Sequence, residues 1–346
     1  MIELDGAHLS GSGTIVRQAV AFSALRGVPL HVVNARAKRP KPGLRPQHVR
    51  VVEAIREVVQ GSTQGAVEGS QEFTFYPGKP GQATRYEWDI GSAGSTTMLA
   101  LAVLPVLTCL GRVIHVTIRG GLFQDYAPSV FHLQHVIVPL LRRMGLDVDV
   151  EMQRPGYVPR GGGELCLTVR PAALPLASLS LEQRGSVQRI WGIAFSSHLE
   201  TRRVSQRMAE AAIAVCAEAG YCAHIEPKDD QTAPQPGAAL AVFADCAGGI
   251  RLGADRAGAP NRRAEMIGRD AMRMLLEDLA TGATVDRFAA DQLIPFAALA
   301  KGTSQFLIPA VTDHVQTQAW LVSTLLGATV QIEERRVSIQ GIGFVG

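Results

Sequence analysis

The sequence predicts a mixed α/β fold of three repeated βαβαβ-type units with a small inserted α/β domain. One observation is a recurring order of loop, apolar helix, short strand, second loop, amphipathic helix and strand. Another is a stretch from Arg184 to Gly282 that breaks this order. The third is size and composition. At 346 residues the chain exceeds the length at which a single core usually stops growing, and 47% hydrophobic against 19% charged residues places it with compact globular proteins. The expected organisation is a repeat-built body over 1–183 and 283–346, interrupted by a domain over 184–282.

The first unit runs from Gly11-Ser12-Gly13 into a helix carrying Ile15, Val16, Ala19 and Val20, then the strand Leu30-His31-Val32-Val33. After a basic loop follows a helix with Val49, Val52, Ile55 and Val59 along one side. The second unit passes from Gly91-Ser92-Ala93-Gly94-Ser95 into a helix over Met98 to Leu110, a strand Ile114 to Ile118, the loop Arg119 to Pro128, and a helix displaying Leu133, Val136, Leu140 and Met144. The third begins near Asp291-Gln292 with Leu293, Ile294 and Phe296. It continues through the strand Phe306-Leu307-Ile308 and enters a helix after Thr312-Asp313 bearing Val315, Ala319, Val322 and Leu326. Each unit exposes one apolar sheet face and one stripe per helix, and packing sheet on helices buries both.

The interrupting segment has elements of its own: a strand Arg189 to Phe195, a helix Arg203 to Ala219, and strands near Cys222 to Ile225, Leu240 to Asp245 and Ile250 to Leu252. Lys228 to Gly237, with Pro234 and Pro236, reads as an exposed loop.

Several functional classes recede at once. The longest apolar stretch, Thr96 to Leu110, is interrupted by Pro105 and falls short of the roughly 20 residues a spanning helix needs, so no membrane partner is expected. Met1 is followed at once by Glu3 and Asp5, unlike a secretory signal, and the expectation is a cytoplasmic protein. The five cysteines are scattered and lack a CxxC pair, which indicates neither a disulfide framework nor a zinc site. The net charge of +3 is too slight to imply nucleic acid by itself.

Its distribution says more. Arg36, Lys38, Arg39, Lys41, Arg45 and Arg50 follow one another without an acidic residue, a field suited to phosphates or to a nucleic-acid backbone, although a solvated loop has the same composition. Helix starts carry unpaired N–H groups and partial positive charge, so they hold anions readily. Gly11 and Gly13 would let a phosphate approach the backbone, with Arg17 one turn into the helix. Gly91 to Ser95 is a second such loop, and Gln47-His48 lies at another helix start. Each glycine loop alone is equally a tight turn, as is Gly161-Gly162-Gly163; their recurrence is what points to a phosphate-bearing ligand.

His314 follows the capping pair Thr312-Asp313, where the helix's positive end would lower the imidazole pKa and keep the ring neutral. Such a residue commonly caps or packs. Neutral imidazole is also a competent nucleophile toward the α-phosphorus of ATP, with arginines stabilising the developing charge. His132, His198 and His224 read as structural. No HExxH, P-loop or Ser-His-Asp spacing is present.

These residues resemble a known family. Leu4-Asp5-Gly6-Ala7, Arg39-Pro40-Lys41-Pro42-Gly43-Leu44, Gln47-His48, Ile90 to Thr97, Gly156-Tyr157-Val158-Pro159-Arg160-Gly161-Gly162-Gly163, Ala290-Asp291-Gln292-Leu293 and His314 stand in the order found in the RNA 3′-terminal phosphate cyclases. The resemblance covers essentially the whole chain, and the Tyr-x-Pro-x-Gly-Gly-Gly run is its most specific element. It implies three units each like the C-terminal domain of translation initiation factor three, plus a smaller inserted domain. It also implies an activity in which ATP adenylylates a histidine, by position His314, AMP passes to an RNA 3′-phosphate, and the 2′-hydroxyl displaces AMP to leave a 2′,3′-cyclic phosphate.

Carried over residue by residue, Arg17, Arg39, Gln47 and His48 would contact phosphates, Phe288, Asp291 and Gln292 would lie by the nucleotide, and Pro128 would line its pocket. The implied small molecules are ATP and a divalent cation, magnesium or manganese, and the implied partner is RNA ending in a 3′-phosphate. Ser10 stands where the family commonly has a glutamate that helps hold the cation, which suggests an ion held mainly through ATP and water. Leu101 replaces a usual nucleotide-contacting glutamine, and Pro155 a usual Arg or His. Two other readings use parts of the same pattern: a non-catalytic cyclase-like binding module for ribosome assembly, whose kind lacks the histidine, and an enolpyruvyl transferase built from similar repeats.

Overall fold

A computed structural model describes residues 1–346. The first unit consists of β1 (Ile2–Asp5), α1 (Gly13–Arg26), β2 (Leu30–Val33), α2 (Pro46–Val58), β3 (Ser62–Gln64) and β4 (Phe73–Tyr76). Helix α1 starts where the Ser12 side chain accepts from the Thr14 N–H and stops at Gly27, whose φ of 64° closes the last turn. Its sheet has the order β1-β2-β4-β3, with β1 parallel to β2 and the other neighbours antiparallel.

The second unit repeats this plan: β5 (Arg85–Asp89), α3 (Thr96–Thr108), β6 (Ile114–Gly120), the two-part helix α4 (Val130–His132) and α5 (Val138–Arg143), β7 (Asp147–Arg154) and β8 (Gly163–Arg170). Its order is β5-β6-β8-β7, again with only the first pair parallel. Where the apolar spacing predicts one continuous second helix, a π-turn over Leu133–Ile137 intervenes. Pro139 has no N–H to give the His135 carbonyl, and Arg251 Nη1 donates to that oxygen instead, at 3.2 Å.

The third unit departs from the expectation in one respect. Its first strand is β9 (Ser180–Leu181), which pairs parallel with a strand more than a hundred residues later. Between them come β10 (Val187–Ser197), a 3₁₀ turn (Glu200–Arg202), α6 (Val204–Glu218), β11 (Ala223–Asp230), β12 (Gly237–Cys246), β13 (Ile250–Ala257) and α7 (Ala264–Ala280). These strands form a separate sheet ordered β11-β10-β12-β13. The unit then resumes with α8 (Ala289–Gln292), α9 (Ile294–Leu299), β14 (Lys301–Leu307), α10 (Asp313–Leu326), β15 (Thr329–Glu333) and β16 (Arg336–Ile342). Its sheet, β9-β14-β16-β15, has the same pairing sense as the other two. The unit therefore begins at Ser180, not near Asp291. A two-residue strand has no readable period, which is why the sequence conceals it.

Two further readings are corrected. Helix α7 went unread although Ile267, Ala271, Met272, Leu275 and Leu279 recur at helical spacing and are buried. The stretch Lys228 to Gly237 is not an exposed loop throughout: Lys228 to Asp230 complete β11, and Ala233 and Gln235 are buried. Gln235 Nε2 donates to the Tyr157 carbonyl at 2.6 Å, and the Tyr157 ring lies against Gly237, where any side chain would collide with it. The Tyr157 hydroxyl also bonds to Ser197 Oγ at 2.8 Å. The most specific sequence motif is thus a plug that fastens the second unit to the separate sheet.

One continuous apolar core, from Leu4 through Ile339, runs beneath all four sheets. A buried polar bridge crosses it: Asp286 holds His132 Nε2 at 3.0 Å and the Gly253 N–H at 2.8 Å, and Asp255 takes the Ser129 N–H at 2.8 Å. His132 is structural, as expected, and His198 bonds to Gln231 and Ala233.

Candidate active site

Helices α1 and α10 pack together, which brings residue 314 to the loop that starts α1. The Thr312 side chain caps α10 by accepting from the Val315 N–H at 3.3 Å, so His314 stands in the first turn. One turn further on, the Thr317 hydroxyl bonds to Ser10 Oγ at 2.9 Å, and His8 lies against Trp320 at 4.4 Å between ring centroids. These contacts fix the rotation of α10 about its axis. His314 Nδ1 is 3.2 Å from the hydroxyl oxygen of Thr14, which also accepts from Arg17 Nη2 at 3.4 Å. With Nδ1–H directed at Thr14, the lone pair of Nε2 is left for chemistry.

Burial, then the positive charges of Arg17 and Arg39, lower the His314 pKa below its ordinary 6.5, against a weaker opposing pull from Asp313. The ring is therefore neutral at pH 7. The sequence points to the helix end for this lowering; the folded chain supplies burial and two guanidinium groups.

Arg17 is buried, and its Nε has no partner within the chain. Burial pushes its pKa down to about 10, with Arg36 and Arg39 adding to the fall and Asp291 opposing it. Asp291 is itself raised to about 6 by burial, while Gln292 and Arg17 pull the other way. Gln292 Nε2 donates to the Asp291 carboxylate at 2.8 Å and leaves its Oε1 unpaired in the interior.

His48 lies on the other side of Arg17. The Arg45 N–H donates to its Nδ1 at 3.1 Å at the start of α2, so its Nε2 carries the proton. That N–H reaches the backbone of Gly13, where an added Cβ would strike both His48 and Arg17. Burial and the surrounding arginines hold the His48 pKa well below 6.5.

The basic loop is folded rather than merely solvated. Arg36, with φ of 58°, donates to the carbonyls of Lys41 and Gly43 and so braces the loop, and Lys38 Nζ donates to Leu9 O at 3.1 Å. The Arg39 N–H donates to Arg36 O at 3.0 Å, its side chain makes no hydrogen bond within the chain, and its charge reaches Arg17, His48 and His314. Gln47 Oε1 accepts from the Ser95 N–H at 3.1 Å, which ties the α2 start to the glycine loop that starts α3. Arg17, Arg39, His48, Asp291, Gln292 and His314 thus converge, with Gln47 at their edge.

Pro128 and Phe288 sit less directly. The Pro128 carbonyl accepts from the Thr97 hydroxyl at 2.7 Å, and Phe288 packs edge-on against His132. No hydrogen bond or ring contact joins either to His314. Sequence reasoning missed Thr14, although it stands one turn before Arg17 and faces the same way. It also missed Gln318, one turn after His314, which is fully buried with both amide atoms unpaired.

The polar atoms left unpaired on Arg17, Gln292 and Gln318 fit a large polar anionic ligand such as a nucleotide. A divalent cation finds less. Ser10 offers a neutral hydroxyl already engaged with Ser12 and Thr317, and Leu101 is part of the apolar core. No cluster of three His, Cys, Asp or Glu side chains forms a ready-made metal site.

A model of the family described as RNA 3′-terminal phosphate cyclase matches residues 8–332. The chain is 36% identical over 324 residues to an RNA 3′-terminal phosphate cyclase of Staphylothermus marinus, covering 92% of this chain and 90% of that one. It is 36% identical over 337 residues to the Methanopyrus kandleri protein of the same name, covering 96% and 95%. With the Hyperthermus butylicus cyclase the identity is 37% over 342 residues, covering 96% and 94%. Among solved structures, the enolpyruvyl transferase NikO from Streptomyces tendae aligns with 99% of this chain and 48% of its own at 11% identity, with a TM-score of 0.41, a likeness too slight to bear on function. The chain belongs to the RNA 3′-terminal phosphate cyclase family.

Proposed function

We propose, from that membership and from the surroundings of His314, that this chain uses ATP to convert an RNA 3′-phosphate into a 2′,3′-cyclic phosphate through adenylylated His314. The observation that carries the reading is a neutral imidazole held by Thr14 with Nε2 unengaged and two guanidinium groups close by.

In the first step Nε2 attacks the α-phosphorus of ATP, a P–N bond forms, and the bond to the leaving pyrophosphate breaks. Arg17 and Arg39 face the charge that develops, and the His48 N–H and the α1 start add neutral donors. In the second step an oxygen of the RNA 3′-phosphate attacks the same phosphorus and releases the histidine. The 2′-hydroxyl then attacks the terminal RNA phosphorus, loses its proton, and expels AMP. Asp291, whose pKa burial raises to about 6, suits a proton acceptor or a ribose contact. A divalent cation would neutralise triphosphate charge, held by ATP and water since Ser10 supplies no carboxylate.

Residues 184–282 are read as a separately folded insertion, supported by their own sheet and by the packing of α6 on α7. A cytoplasmic site of action is part of the same reading. No helix is long and apolar enough to cross a membrane.

The test is incubation with ATP labelled on the α-phosphate, followed by RNA ending in a 3′-phosphate. Acid-labile, alkali-stable label on the chain that is absent from His314→Ala, and its transfer to RNA, is expected. Label surviving in His314→Ala, or no label with magnesium or manganese, would reject the assignment.

A further inference from the structure

A cleft of about 760 Å³ lies apart from the His314 site. It lies between the Tyr157–Gly163 turn of the second unit and the starts of α6 and α7 in the insertion. Arg160, Arg202, Arg207, Arg262 and Arg263 line it, and no acidic side chain does. Arg207 is engaged by Glu265 at 2.8 Å and Arg262 by Asp125 at 2.8 Å. The side chains of Arg160, Arg202 and Arg263 form neither an ion pair nor a hydrogen bond, and all three residues are exposed. Neither α6 nor α7 has a side-chain cap, so both helices direct their positive ends toward the same space.

Beside the cleft stands an exposed aromatic ring. Tyr126 is 97% exposed with a φ of 66°, a conformation that is costly for a bulky residue, and its neighbour Asp125 is the carboxylate that forks Arg262 and Arg256. An exposed ring on a strained backbone, at the edge of a cleft that carries free guanidinium groups, matches the stacking platform and charged groove that grip single-stranded nucleic acid.

Two short connections join the cleft wall to the glycine loop that starts α3. Gly161 packs on Ser92 and Ala93 of the glycine loop, while the next residue, Gly162, packs on Pro234 of the cleft wall. The Tyr126 loop is joined to the same region where Gly121 bridges to Ser95 and where Thr97 bonds to Pro128. Ser95 in turn bonds to Gln47.

We propose that this cleft binds the RNA strand just upstream of its reacting end, with Arg160, Arg202 and Arg263 on successive phosphates and Tyr126 stacked on a base. The cyclase reading supplies only the identity of the strand's end. A bridging role of this kind gives the insertion a function: it forms half of a groove that a terminal nucleotide alone would not fill.

The experiment measures fluorescence anisotropy of a 5′-labelled oligoribonucleotide ending in a 3′-phosphate against salt, alongside cyclisation of that strand and of a dinucleotide 3′-phosphate. Each phosphate contact on a single strand contributes about 0.7 to the slope of log affinity against log salt, so Arg160→Ala/Arg202→Ala/Arg263→Ala should flatten it by about 2 and raise Kd roughly tenfold or more. Tyr126→Ala should raise Kd roughly fivefold or more with the slope unchanged. KM for the long strand should rise with Kd while kcat on the dinucleotide is preserved, a split that a misfolded variant would not give.

Unaltered slope and Kd in the triple variant would overturn the assignment. So would polyglutamate displacing the RNA as well as RNA itself does, which would point to an acidic protein in the cleft. A native chain that cyclises RNA while the triple variant matches it refutes the cleft and leaves the cyclase reading intact. A native chain that binds with these sensitivities yet closes no RNA end refutes the cyclase reading and leaves the cleft.

Discussion

Replacing Thr14 by valine keeps the branched shape and removes only the oxygen that lies 3.2 Å from His314 Nδ1 and 3.4 Å from Arg17 Nη2. Both distances sit at the long end of the hydrogen-bond range, so each is worth the lower part of the usual net value, about 0.5–1 kcal/mol. The two together come to about 1–2 kcal/mol of positioning, because without Thr14 the imidazole can turn its Nε2 away and Arg17 loses its only anchor. If that loss falls on the transition state, self-adenylylation slows roughly 5- to 30-fold. Single-turnover transfer of label from ATP to the chain measures it directly. Thr14→Ser restores the oxygen and should recover most of the rate, which a purely packing role of the methyl group would not allow. Valine within twofold of the native rate, or serine as slow as valine, would refute the argument.

Removing the Arg39 charge by Arg39→Gln should raise the His314 pKa, since that charge lowers it. The nucleophile is the neutral ring, so the acid limb of the adenylylation pH profile should move to higher pH, and a shift to lower pH or none would count against Arg39 facing His314. Arg39→Ala should also reduce activity more than Arg335→Ala, whose side chain only reaches the Thr281 carbonyl. Asp286→Ala leaves buried His132 and the Gly253 N–H without their acceptor, and denaturant unfolding should show a loss of about 3–5 kcal/mol, the range for breaking a buried pair. Burial opposes the Asp286 charge, but His132 and the backbone donors outweigh it and lower its pKa below the ordinary 3.8. Its contribution is therefore complete above pH 4 or so and lost as pH falls through the lowered value, a dependence the variant should lack; an equally acid-sensitive variant would refute this.

Local chemistry in the sequence was enough to place most elements. The apolar spacing of Ile15 to Val20 and of Val315 to Leu326, capped by Ser12 and Thr312 and closed by Gly27 and Gly327, specifies α1 and α10, because capping and amphipathic burial act over a few residues. The same locality put Arg17, His48 and His314 at helix starts before any contact was known. What it could not specify is which starts meet. The Thr14 to His314 contact spans three hundred residues and exists only because α1 packs on α10. Strand β9 acquires its identity from a parallel partner beyond the insertion, the π-turn from an arginine that serves a carbonyl freed by Pro139, and the arginine cleft from two helix ends brought against a turn of another unit. Sequence determines what each short segment wants to bury and cap; only packing decides which distant polar groups share one dry space, because that depends on the global arrangement of faces.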